Sequence, residues 1–267
     1  MNELELLFLG TGTSAGIPMI GCRCAVCASP DARDRRSRPS VLVRYGQPLA
    51  DGEFAASVLI DTTPELRLQC LAHKVERVDA VVLTHAHADH IMGMDDLRRF
   101  NTLRGGPLDV WADAQTHRVV GQAFGYAFGP PRPTEKVYRP NLVARTIEGP
   151  FQIGPATWTP LPLLHGDMPV LGFRIGKVAY CTDVSQIPPA TWPLLENLDV
   201  LVLDGLQFQK HATHLTIHEA IALAGKLKPQ RTYLTHIAHG VAHAATEAAL
   251  PESIFLAYDG LRIRGQL

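Results

Sequence analysis

The chain has 267 residues, 46% of them hydrophobic and 19% charged, with a formal net charge of -1. That is enough apolar side chain to fill one large α/β domain, and a charge balance this near zero excludes a strong bulk attraction to nucleic acid or an anionic membrane surface. There are 5 cysteines, with Cys22, Cys24 and Cys27 clustered, which is a poor disulfide framework and fits a reducing compartment with a metal site.

Glu3–Leu9 alternates and then turns apolar, as a first strand does, and it stops at the tight turn Gly10-Thr11-Gly12. The start of the chain is acidic where a secretory leader is basic, and Leu6–Leu9 is too short for a leader's apolar segment, so a cytoplasmic protein is expected. No run approaches the ~18 apolar residues of a membrane-spanning helix. Gly10-x-Gly12-x-x-Ala15 formally fits a dinucleotide fingerprint, but Gly16, Pro18 and Gly21 prevent the helix that such a fingerprint must open. The loop continues into Cys22-x-Cys24-x-x-Cys27. Three thiolates so close together can wrap one tetrahedral zinc and need one more ligand. Such a site stabilises a loop with little apolar surface of its own. The Arg33, Arg35, Arg36, Arg38 run reads as solvated loop.

Val41–Tyr45 and Ala56–Ile60 read as hairpin strands around the polar insert Gln47–Glu53. Asp61, at the end of the second, is a candidate acceptor that orients a metal-bound histidine. Pro64–His73 has helical spacing, and Asp79–Leu83 is a buried-strand run. Asp89–Leu103 reads as one helix with Ile91, Leu97 and Phe100 on a shared face. Leu108–Trp111 is a short strand, and the prolines of Gly129–Pro140 make that segment loop or lid. Thr157–Leu164, Gly172–Ile175, Val178–Thr182, Val200–Leu203 and Thr232–Thr235 are strand candidates, Ile217–Leu227 is a helix, and Ile254–Ala257 and Leu261–Ile263 close the chain. Cys70 and Cys181 read as small buried residues, His218 as an ordinary helix residue, and His73, His117 and His243 as histidines without partners in sequence.

The strongest chemical signal is Thr84-His85-Ala86-His87-Ala88-Asp89-His90, at the end of one buried strand and the start of a helix. His85 and His87 point the same way in extended backbone, and Asp89 and His90 follow where the chain turns. A helix cap explains Asp89 alone and leaves the histidines unexplained. Imidazole with carboxylate suits zinc, manganese, iron or nickel.

At every position this motif matches His-x-His-x-Asp-His, and the chain resembles the metallo-β-lactamase superfamily. The resemblance implies a single domain over 1-267, folded as a four-layer αββα sandwich, with the zinc loop at about 16-40. It also implies three later ligands at strand ends: His165, Asp183 and His236. In that reading His85, His87 and His165 hold one divalent cation, Asp89, His90 and His236 hold a second, and Asp183 bridges them. More narrowly, the run from Gly10 to Cys27 and the tail Ala257–Leu261 are similar to PhnP-type phosphodiesterases of the carbon–phosphorus lyase pathway. That likeness implies His239 as the fourth ligand of a structural zinc. It places His214 beside the metals as phosphate contact or general acid, and counts Asp89 with it among the catalytic groups. The implied reaction is hydrolysis of a small cyclic phosphodiester, such as 5-phosphoribosyl 1,2-cyclic phosphate, by a hydroxide shared between two cations. The expected partner is that small molecule, with no membrane and no nucleic acid, and a homodimer is compatible with the family. Four alternatives stand beside this reading. A tRNA 3′-processing nuclease should carry a long basic arm, and none is seen. A thioesterase would differ in substrate. A PqqB-like role in pyrroloquinoline quinone biosynthesis usually goes with a degraded motif, whereas this one is complete. A non-catalytic metal-binding protein has no need of the full ligand set.

Overall fold

The computed structural model describes residues 3–47, 54–129 and 138–267. Most of the insert Gln47–Glu53 and of the segment Gly129–Pro140 therefore lies outside the described residues. The chain runs β1 (Glu3–Gly10), β2 (Ser40–Tyr45), β3 (Ala56–Ile60), α1 (Leu66–His73), β4 (Ala80–Val82), α2 (Ala88–Ile91), α3 (Arg98–Arg104), β5 (Leu108–Ala112), α4 (Ala114–Phe124) and β6 (Leu142–Thr146). It continues through β7 (Phe151–Ile153), β8 (Ala156–His165), β9 (Met168–Ile175), β10 (Val178–Cys181), β11 (Val200–Asp204), α5 (Ile217–Leu227), β12 (Arg231–Thr235), α6 (His243–Glu247), β13 (Ile254–Leu256) and β14 (Arg262–Gln266). Two 7-stranded sheets result, ordered β14-β1-β2-β3-β4-β5-β6 and β13-β12-β11-β10-β9-β8-β7.

Strand alternation separates three apolar cores. Leu4, Leu6 and Phe8 of β1 face the space between the sheets, where Trp158, Phe173 and Tyr180 lie. Leu7 and Leu9 point the other way, packing with Leu66, Ile91, Phe100 and Val120 from α1 to α4. On the outer face of the second sheet, Leu201 and Leu203 meet Ile217, Ala220 and Ala224 of α5. Both faces of each sheet are thus covered, which is why strands such as Val200–Leu203 read as unbroken apolar runs. The arrangement is the αββα sandwich expected from the motif. A buried polar pair between the sheets is satisfied: Trp158 Nε1 donates to the Tyr45 hydroxyl at 2.9 Å, which donates to the Ile153 carbonyl at 2.8 Å.

β3, β4, β5 and β6 pair in parallel, as do β10, β11, β12 and β13. Within each parallel run the carboxyl ends lie on one edge, and ligands of open α/β sheets bind beyond such edges.

Two expectations need correction. The helix read over Asp89–Leu103 is divided: α2 stops at Ile91, a 3-10 turn covers Met94–Leu97, and α3 begins at Arg98. Gly93 is the cause. Its N–H donates to the Thr62 carbonyl at 2.9 Å, and a Cβ there would sit 1.9 Å from the Thr63 oxygen, so the backbone leans on the turn after β3. The arginine run is not uniformly solvated either. Arg36 is 1% exposed, donates to Thr11 Oγ1 at 3.0 Å and to the Ala257 carbonyl, and faces His243 Nδ1 at 3.0 Å. His243 therefore has a partner that its sequence neighbours do not reveal. Among the described residues no helix is long and apolar enough to cross a membrane.

Candidate metal centre

The ligand-type side chains project from those strand ends. β4 leads into Thr84–His90, and His165 ends β8. Asp61 follows β3, Asp183 follows β10 and His236 follows β12, with φ of 62, 51 and 60. This left-handed backbone is uncommon in residues other than glycine.

Six of the seven expected side chains fall in groups of close ligand atoms, and His87 stands against them. His85 lies 4.6 Å from His87 and 5.8 Å from His165 between ring centroids, and His87 lies 5.2 Å from His165. His85, His90 and Asp183 offer ligand atoms within 4.8 Å of one another, and so do Asp89, His90 and His236. One oxygen of Asp183 is 3.2 Å from His90 Nε2 and the other is 3.3 Å from His236 Nε2. Asp89 Oδ2 is 3.5 Å from His90 Nε2. His87 sits at the exposed rim of the group.

A ladder of hydrogen bonds sets the direction of the rings. The Asp61 carboxylate accepts from Thr84 N at 2.8 Å, Thr84 Oγ1 at 2.8 Å and His90 Nδ1 at 2.7 Å. Thr84 Oγ1 in turn accepts from His85 Nδ1 at 3.0 Å. His165 Nδ1 donates to the Thr213 carbonyl at 2.8 Å. With Nδ1 carrying the proton, each Nε2 offers a lone pair. Nε2 of His85, His90 and His236 are buried without a hydrogen-bond partner. Orphaned imidazole nitrogens beside paired carboxylates are what a divalent cation takes up.

The electrostatics agree. Burial opposes charge on His90 and His236, but neighbouring carboxylates, Asp183 foremost, outweigh it, holding His90 well above its ordinary pKa and His236 at about 8. Burial likewise works against the ionised Asp183 and Asp89, yet the surrounding histidines hold both below the usual carboxylate range. His85 goes the other way, lowered first by burial and then by the charge on His90. The pocket demands positive charge at its centre.

The second constellation also forms. Cys22, Cys24, Cys27 and His239 bring their ligand atoms within 4.8 Å of one another. His239 Nδ1 is 3.5 Å from Cys22 Sγ and 3.4 Å from Cys24 Sγ. Backbone N–H groups of Cys27 and Met19 donate to Cys24 Sγ and Cys27 Sγ, each at 3.4 Å. The Cys27 N–H, with His239 next, brings the Cys24 thiol down to about 6, whereas burial pushes the Cys27 thiol up. Three sulfurs and one imidazole form a donor set that suits tetrahedral zinc.

His214 lies against the first cluster, 4.5 Å from His165 and 4.7 Å from His236, nearly parallel to the latter at 18°. Its Nδ1 donates to Asp204 Oδ2 at 2.6 Å. Asp204 is a residue that sequence reasoning missed. The signal was present, since it closes the buried run Val200–Leu203 as Asp183 closes its own strand. Burial raises its pKa, opposed by the bond from His214. His211 is exposed, with its ring 5.0 Å from that of His214.

The family model described as a beta-lactamase superfamily domain matches residues 56–237. A crystal structure of a diphosphatase from the PhnP family is similar with a TM-score of 0.88 and 40% identity, over 99% of this chain and 98% of that one. The octanoyltransferase of Porphyromonas gingivalis is 34% identical over 261 residues, 97% of this chain and 51% of that protein, so the chain spans about half the length of this curated relative. The Zn(2+)-bound PqqB from Methylobacterium extorquens shares the fold, with a TM-score of 0.70 at 18% identity over 97% of this chain and 99% of that one. With its His-x-His-x-Asp-His turn, its strand-end partners and its thiol loop all in place, the chain belongs to the metallo-β-lactamase superfamily, on the PhnP-like branch.

Proposed function

We propose that this chain is a metal-dependent phosphodiesterase that opens a small cyclic phosphodiester, of which 5-phosphoribosyl 1,2-cyclic phosphate is the type. The observation that supports this reading is the crowding of His85, His90, His165 and His236 around Asp183, with His214 stacked at their edge. His85, His87 and His165 would hold one divalent cation, and Asp89, His90 and His236 the other, with Asp183 common to both. Cys22, Cys24, Cys27 and His239 would hold a structural zinc. Bound cations supply a nucleophile at neutral pH and offset charge on the phosphoryl oxygens.

The remaining chemistry falls to side chains of this chain. Asp61 fixes the His90 tautomer directly and that of His85 through Thr84, which keeps their Nε2 lone pairs turned inward. Asp204 does the same for His214, whose Nε2 is thereby left to face the cluster. A protonated His214 can then deliver the Nε2 proton to the leaving sugar oxygen, which is too basic to depart unassisted. Thiols that must stay reduced to bind metal fit a cytoplasmic location.

The likeness to the PhnP-family diphosphatase favours a second reading, cleavage of a diphosphate linkage. The leaving group would then be a phosphate, a far weaker base, with little need of a proton from His214. Purified, metal-loaded protein should be assayed on a ribose cyclic phosphodiester, bis-p-nitrophenyl phosphate, a nucleotide sugar diphosphate and an acyl thioester. Cleavage of the cyclic ester, lost together with bound metal in His87→Ala, is expected. Turnover of the diphosphate alone would transfer the assignment to the second reading, and turnover of the thioester alone would defeat both.

A further inference from the structure

We infer that the thiol cluster positions His236, and thereby governs the cation held by Asp89, His90 and His236 while leaving the one held by His85, His87 and His165 unaffected. This rests on the two ligand sets assigned above. His236 and His239 stand at the ends of one strap, Thr235-His236-Ile237-Ala238-His239. From His236 to His239 that strap reaches no further than ~11 Å even when extended.

His236 has φ 60, and a non-glycine residue keeps such a backbone only where its surroundings over-determine it. Upstream, Thr235 is paired with Asp204 in the sheet. Downstream, the Ile237 N–H donates to the Thr11 carbonyl at 2.9 Å, the Thr13 N–H donates to the Ile237 carbonyl at 3.3 Å, and the Ala238 N–H donates to the Leu206 carbonyl at 2.8 Å. His239 then ends the strap among the sulfurs, and Cys24 Sγ also lies 3.6 Å from its carbonyl oxygen. Apart from Leu206, these downstream anchors belong to the stretch Thr11–Cys27.

That stretch has little apolar surface with which to hold its shape. Ile17 and Val26 are buried, but Ile20 is 96% exposed. Up to Ile17 the stretch is held by Ser37, by Asp259 and by Ile17 pairing both ways with Arg36, whereas the turn Met19–Cys27 takes its form from the sulfurs and the N–H groups aimed at them. Emptying the thiol site frees the Met19–Cys27 turn and His239, and with them the far end of the short strap that carries His236. The other set is anchored elsewhere, His85 through Thr84 and Asp61 and His165 on the Thr213 carbonyl. His239 is therefore a positioning residue for His236.

The test uses the full chain with His239→Ala, loaded with zinc. Its metals are counted by elemental mass spectrometry, and the affinity of each His/Asp cation is measured by chelator competition. Loss of the thiol-bound metal is expected, with one of the two remaining cations bound ~10–100-fold more weakly and the other unchanged. His239→Cys, which keeps four donors, should restore both. Wild-type affinity for both cations in His239→Ala, or equal weakening of both, would overturn the inference. If His239→Ala fails to fold, wild-type protein treated with p-hydroxymercuribenzoate gives the same readout. Release of a second cation along with the thiol-bound one supports the strap, and release of the thiol-bound metal alone refutes it. Selective loss in a protein that cleaves no phosphodiester refutes the proposed reaction and leaves the strap standing. A protein whose His/Asp cluster binds no cation refutes both.

Discussion

The Nδ1–H of His214 donates a hydrogen bond to Asp204 Oδ2 at 2.6 Å, and Asp204 sits at the end of a strand with no exposed surface. The carboxylate therefore decides which nitrogen of His214 faces the cluster. Asp204→Asn should keep the metals but lose this control. For a sugar leaving group, kcat should fall ~100-fold, the lower end of what a positioned proton donor contributes. For bis-p-nitrophenyl phosphate, whose leaving group needs no proton, the loss should be much smaller. Steady-state kinetics on both substrates check this, and equal losses would remove His214 from the proton-donor role.

Asp61 accepts three hydrogen bonds, from Thr84 N, Thr84 Oγ1 and His90 Nδ1. Asp61→Asn replaces one accepting oxygen with a donor. Cation affinity at the His/Asp cluster should drop ~10–100-fold. The mismatched buried donor should also destabilise the metal-free protein by about 1–3 kcal/mol. Metal competition and urea unfolding with and without chelator separate the two effects. An unchanged affinity would show that the ladder does not tune the rings.

His243 is lowered from 6.5 to about 4, first by burial and then by the Arg36 and Arg33 charges. Between those values the unfolded chain binds a proton that the folded chain refuses. The stabilising contribution is therefore complete above pH 6.5 and is lost as the pH falls toward 4. His243→Gln can still accept from Arg36 but does not titrate. The Tm advantage of wild type over this variant should shrink from neutral pH to mildly acidic pH. A constant difference across a Tm-versus-pH series would contradict the assignment.

Gly93 and Gly121 should respond oppositely to alanine. A Cβ at Gly93 would meet the Thr63 oxygen at 1.9 Å, whereas Gly121 in α4 has nothing within 4 Å. Gly93→Ala should destabilise by about 2–4 kcal/mol through forced backbone movement. Gly121→Ala should stabilise by roughly 0.5–1 kcal/mol because alanine is the better helix former. Denaturant midpoints check both, and a neutral Gly93→Ala would mean that the break after α2 has another origin.

Much of the site was legible because its ligands obey a local rule: each donor follows a buried strand that apolar patterning can find. His85, His87, Asp89 and His90 follow β4, whereas His165, Asp183 and His236, each undistinctive alone at its strand end, were singled out by the family resemblance. Asp61 was legible as an acceptor on the same grounds. Asp204 obeys the rule as well, but a lone strand-end aspartate is not distinctive until His214 arrives from the following loop. The partnership of Arg36 with His243 was invisible, since the two are 207 positions apart and arginine is usually solvated. The break in the helix after the motif escaped notice because one glycine in a periodic run does not reveal what presses against it.

The unusual φ angles at Asp61, Asp183 and His236 bear on how any mutational scan of this protein is interpreted. Truncation to alanine at these positions removes a donor atom and also installs a residue that disfavours the local chain geometry, so the measured loss overstates the chemistry. Asparagine tolerates that geometry better than alanine does, which makes it the cleaner replacement at all three. A scan confined to alanine would rank these three above His85 and His165 for reasons unrelated to what they bind.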